Sequence, residues 1–296
     1  MGGVRVGIVV ALVVVVAVSA VRLTGVRSLD PAAARARRRA WVTSAVGSLV
    51  VLCALAVPWP GVAGDVRLAM APAGAGAVGA LAAGVGERFA PRPIRRQRVA
   101  VLGSREGTGA RALKRWYAVG LLCAASLLAI GVPTSAPDGR SFARTVGDLG
   151  AAASPYPGRV YAVPVVLALA VLAAATWWAM REVDARPALD DVGVEVDRAV
   201  RAGSQVRVLR WSGAGVLVTT AGLALTMGTA VGGVAHSLRV NGASTARAGF
   251  DWLQIAGIGL VGLGCVAVVA ALVVLLWSAP AVPHSAEPTR PVDVAS

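Results

Sequence analysis

Seven stretches of this chain, at about 6–21, 41–57, 68–85, 116–132, 160–180, 211–234 and 252–277, contain no Asp, Glu, Lys, Arg or His. An apolar run of about 20 residues is the length of a helix that crosses a bilayer. Backbone polar groups in lipid must bond within the segment, so such a run is read as a membrane helix. The sequence therefore predicts an all-α, polytopic membrane bundle. Charged residues make up 15% of the 296 residues, well below the quarter or so of a soluble domain.

Three of the runs begin the same way. Arg37-Arg38-Arg39-Ala40-Trp41, Leu113-Lys114-Arg115-Trp116 and Val208-Leu209-Arg210-Trp211 each set basic residues before a tryptophan and a long uncharged stretch. Basic residues favour the cytoplasmic side of a span, and Trp favours the headgroup level. These junctions divide the chain into one N-terminal helix and three helical hairpins. With the N-terminus outside and the C-terminus cytoplasmic, inner segments hold 22 of the 29 basic residues. The hairpins then share one orientation, as in a parallel repeat; small residues at Ala45, Gly120 and Gly215 and Ala at 54, 129 and 224 are its only marks.

The first run also has the outline of a signal peptide, with Val18-Ser19-Ala20 before Arg22. Cleavage would invert every later span, so the run is read as a retained helix. The run at 68–85 is mostly Ala and Gly, with Pro72 inside. Such a helix gains little from lipid and needs protein neighbours; Gly74, Gly76, Gly79 and Ala83 permit close approach. Gly228 and Gly232 and the glycines at 257, 259, 262 and 264 are read in the same way. The tail at 279–296, with four prolines, is expected to be disordered.

Net charge is +14. The basic residues sit in short loops between apolar runs, so they orient the protein and no nucleic-acid partner is expected. Segments 22–40 and 87–115 carry net charges of +5 and +7 and are expected to lie against anionic lipid. Segment 181–210 differs, with six basic and six acidic residues. Within it Leu189, Val192, Val196 and Val200 recur at helical spacing. Two readings stand: an amphipathic cytoplasmic helix whose stripe docks a protein partner, or a solvated extension of the fifth span.

On the opposite side, Asp138, Arg140, Arg144, Asp148, Tyr156 and Arg159 crowd one loop, and His236 and Asp251 lie near the next. A His with a nearby Asp suits acid–base chemistry, but no nucleophile motif accompanies it. No site for a metal or cofactor is expected: Cys53, Cys123 and Cys265 all lie inside apolar runs, with no Cys–His spacing of a zinc site. Ionisable residues within spans mark proton relays and ion sites, and their absence argues against ion-coupled transport.

The run Asp138-Gly139-Arg140-Ser141-Phe142 and the later Pro155-Tyr156-Pro157-Gly158, through Tyr161 and Pro164, resemble a group of uncharacterised actinobacterial integral membrane proteins. The resemblance implies a membrane protein and no assigned activity. The leading functional expectation is a non-enzymatic structural or regulatory component of a complex in the cell membrane. A transporter or channel subunit for a small or apolar solute is the alternative, and an extracytoplasmic membrane enzyme the third.

Overall fold

The computed structural model describes residues 64–88, 108–146, 148–186, 194–241 and 247–277. It contains five helices and a hairpin: α1 (Gly64–Arg88), α2 (Thr108–Thr134), β1 (Phe142–Val146), β2 (Leu149–Ala153), α3 (Arg159–Ala185), α4 (Val194–Asn241) and α5 (Arg247–Leu276). All five helices are long and apolar enough to cross a membrane. A helical membrane bundle is therefore what the chain builds. The expected spans at 6–21 and 41–57 and the tail at 279–296 lie outside the described residues.

The helices are longer than the uncharged runs because their charged flanks stay helical. The largest difference is in α4, which begins 17 residues before Trp211 and runs for 48 residues. That is about 72 Å of helix, against roughly 30 Å of bilayer hydrocarbon. The segment from Val194 to Arg210 is thus an extension of the span that follows it, not of the one before. Pro187 explains the separation. The residue before a proline is pushed out of the α region, and Arg186 is extended at φ −60 and ψ 132, which ends α3 at Ala185. Pro280 is the next proline, so nothing of that kind breaks α4.

α4 is the axis. Of its apolar window, 72% is buried, against 22% for α5. It packs on α1, α2, α3, α5 and both strands. Where α1 crosses it, the backbones touch: a Cβ on Gly215 would lie 2.9 Å from the Gly76 Cα and 2.9 Å from the Pro72 carbonyl oxygen. Where α5 crosses it, a Cβ on Gly257 would lie 2.8 Å from the Gly232 amide nitrogen, and one on Gly228 would lie 2.8 Å from the Gly257 carbonyl oxygen. Only glycine allows either crossing. Gly76, Gly79, Gly228 and Gly257 are thus used as the small-residue reading expects, while Gly74, Gly259 and Gly262 face open space.

The helices alternate in direction. The C-terminal ends of α1, α3 and α5 meet the N-terminal ends of α2 and α4: Glu87 and Arg186 bond each other, Gly109 lies beside the Trp277 ring nitrogen, and Arg210 donates to the Leu275 carbonyl. This is the charged end. The hairpin covers the other end, with β1 and β2 antiparallel and Phe142 opposite Ala153. An all-α reading did not foresee it. Three consecutive alanines and a glycine make β2 a weak strand former. The strands hold because Phe142, Ala151 and Ala153 pack into the core that includes Val231, Val234 and Leu238 of α4.

Candidate functional site

At the hairpin end, the crowded loop forms a folded cap. Asp138 accepts from the amides of Arg140 (3.0 Å) and Ser141 (3.1 Å) and from the Ser141 hydroxyl (2.8 Å). These bonds, the Arg140 amide first, hold its carboxyl below the ordinary carboxylate value. Gly139 takes φ +65, a left-handed conformation that glycine adopts without strain. Gly158 fits against it so closely that a Cβ there would lie 2.6 Å from the Gly139 carbonyl oxygen. Tyr156 fills the space between, 1% exposed. Its ring stands 5.3 Å from Phe142, its amide donates to the Arg140 carbonyl, and its hydroxyl shares a 2.6 Å bond with Thr134. Burial raises its pKa, with the Thr134 bond opposing. Tyr161 donates to Asp65 at the start of α1, which ties the cap to the bundle.

Of the polar residues expected on this side, Asp138 and Tyr156 are therefore joined in one cap as structural members. Arg140, Arg144, Asp148, Arg159 and His236 are exposed, and Asp251 lies in the first turns of α5. The motif residues Asp138 to Phe142 and Pro155 to Tyr161 come together in space.

The charged end holds the densest arrangement of ionisable groups. Arg186, directly after α3, is 5% exposed in its side chain and bonds Glu87 of α1 (3.0 Å) and Asp197 of α4 (3.3 Å), each carboxylate 9% exposed. Asp197 also pairs with Arg201 at 2.9 Å. Glu87 accepts from the Ser204 hydroxyl at 2.6 Å and pairs with Arg207 at 3.6 Å. Arg201 donates to the Asp184 carbonyl, and Gln205 donates to the Asp184 carboxylate. Arg88 and Glu182 close the rim at 3.3 Å. Three helix ends are thus laced together through one guanidinium.

This network occupies the segment in which a docking stripe was expected. Leu189 and Val192 lie outside the described residues, and Val196 is helical within α4. Val200 is half-buried. The face turned into the bundle is polar, carrying Asp197, Arg201, Ser204, Gln205 and then Val208 at helical spacing. Position 200 flanks it. Sequence reasoning missed Glu87, Asp184, Arg186, Ser204 and Gln205 as a group. One signal was available: 181–210 is the inner segment with balanced charge, and equal numbers of acids and bases can pair with each other.

In the bundle interior, hydroxyls are consumed locally. Thr176 bonds Ser212 at 2.7 Å and the Leu172 carbonyl, and Ser212 donates to Val208. Thr219 and Thr220 donate to carbonyls of Gly215, Val216 and Gly120. Outside the interior, the half-buried Thr226 and the exposed Thr229 likewise donate to carbonyls one turn back. Among the described residues, no group of three or more His, Cys, Asp and Glu side chains is arranged to hold a metal ion.

Compared with models of protein families, with curated proteins and with solved structures, the chain matches none.

Removing one partner from a buried ion pair leaves a buried charge and costs about 3–5 kcal/mol. Arg186→Met is expected to lose about that much in an equilibrium unfolding series in detergent. Arg88→Gln removes a pair whose arginine is 60% exposed and is expected to cost less than about 1 kcal/mol. Equal losses would show that Arg186 is not the centre of the network.

Proposed function

We propose that this protein is a multi-pass component of the cell membrane that acts as a structural or regulatory partner in a membrane complex, without catalysing a reaction. The observation that carries this reading is the hydroxyl pattern of the interior. The interior threonines spend their protons on helix carbonyls or on the Ser212 hydroxyl. The Gly76–Gly215 crossing brings two backbones into contact, leaving no path between α1 and α4 at that level. Transport needs polar groups turned toward a shared passage, and these are spent on their own helix or on the neighbouring one.

What the protein offers instead is α4, continuous from Val194 through the bundle to Asn241. Its extension includes Val196, and carries Val200 beside the face that the charge network holds. A partner bound along that flank engages a rigid element whose other end meets the hairpin. Among the described residues, basic side chains concentrate at the same end, which supports a cytoplasmic position for it, with the N-terminus outside and seven spans in total.

Two experiments test the reading. A membrane-impermeant thiol reagent applied to intact cells is expected to label Thr145→Cys on β1 and to leave Ala185→Cys unlabelled; both positions are exposed. The reverse pattern would invert the orientation. Affinity purification in mild detergent is expected to recover a reproducible partner from the native chain and to lose it with Val196→Asp, while insertion and yield stay unchanged. A solitary protein, together with solute flux in proteoliposomes, would favour a transporter or channel subunit.

A further inference from the structure

Two of the exposed helix faces end alike. On α3, Val163, Val166, Leu167 and Val171 are between 51% and 64% exposed, and the face closes with Trp177, 61% exposed. Arg181, one turn further on, places its guanidinium 4.9 Å from the centre of the Trp177 ring. On α2, Ile130, Leu122 and Val119 are 53%, 68% and 50% exposed, and the face closes with Trp116, 40% exposed, next to the exposed Arg115. Both Trp–Arg ends lie at the charged end, and they are neighbours in the bundle. Met180 of α3 packs on the cluster that contains Leu113 of α2, and Tyr117 stands beside Thr176.

Among the described residues, the acids at this end do not serve these arginines. Glu87, Glu182, Asp184 and Asp197 are bonded within the network of Arg186, Arg88, Arg201, Arg207, Ser204 and Gln205. Among the described residues neither Arg115 nor Arg181 forms an ion pair. Each therefore presents positive charge where an apolar face stops. Stacking on Trp177 fixes the Arg181 guanidinium without neutralising it.

We propose that the Arg115–Trp116 and Trp177–Arg181 ends form headgroup sites for anionic phospholipid, whose acyl chains lie along the apolar faces of α2 and α3. The shape of the surface selects a lipid over a free phosphate. A free anion uses the guanidinium alone, whereas a lipid also covers Val119 and Leu122 or Val171 and Leu167. A basic residue near the bilayer surface strengthens anionic binding about five-fold, so each arginine supplies about that much at its own site. The sites rest on the membrane reading above and add a lipid class and named residues to it.

Native mass spectrometry of the full chain, extracted from nanodiscs of phosphatidylcholine mixed with phosphatidylglycerol, tests the proposal. The native chain is expected to retain phosphatidylglycerol in preference to phosphatidylcholine. The double variant Arg115→Gln, Arg181→Gln is expected to lose about five-fold in that preference at both sites, and each single variant about five-fold at the altered site only. Arg144→Gln, exposed on β1 at the opposite end, is expected to change nothing. Equal retention of the two lipids by the native chain overturns the proposal without reference to any variant, as does undiminished preference in the double variant. Competition by inorganic phosphate that removes the preference would show an anion site without lipid and also overturns it. Failure of the membrane reading appears separately, as protein recovered from the soluble fraction without detergent.

Discussion

Within a bilayer, apolar side chains are as well solvated by lipid as by one another, so helices need another reason to associate. Here the reason is backbone contact at glycine. α4 touches α1 at Gly76 and Gly215 and touches α5 at Gly228, Gly232 and Gly257. Each contact depends on a missing Cβ, and each lies on α4. This constraint makes α4 the axis and leaves the outer faces of α2, α3 and α5 apolar and exposed. Those faces suit lipid, and the Trp–Arg ends of α2 and α3 suit its headgroup.

The charge network solves a different problem. Glycine contacts set distance but restrain rotation and sliding weakly. Arg186 bonds carboxylates from α1 and α4 while standing at the end of α3, so any slip of one helix would expose an unpaired charge. Buried ion pairs add little net stability over apolar packing, but breaking them is costly. A single register therefore follows from the network at one end and from the cap of Asp138, Tyr156 and Gly158 at the other.

Much of the bundle was legible from the sequence, because the absence of charge over about 20 residues has one structural outcome in lipid. All five described helices fall on predicted spans. The extent of α4 was not read correctly because Arg210-Trp211 marks a membrane interface, and an interface is not a helix start. Pro187 and the absence of proline up to Pro280 were the better guides. The hairpin left no signal in its alanines, since packing on α4 creates it. The network was hidden because its partners come from three segments: Glu87 and Asp197 are 110 positions apart. The polar residues at the hairpin end did converge, in part, but into a cap in which Asp138 and Tyr156 satisfy their neighbours.

A rigid α4 that joins the charged extension to the bundle core is the claim on which both the docking reading and the network depend. Spin labels at Gly203→Cys and Gly222→Cys test it, because neither position has a neighbour within 4 Å of an added Cβ. With Cys53, Cys123 and Cys265 replaced by Ser, pulsed electron resonance in nanodiscs reads the separation. A continuous helix places the two backbone positions about 28 Å apart, so one narrow distribution, widened only by the label linkers, is expected. A broad or two-peaked distribution would show a hinge within α4 and contradict the account.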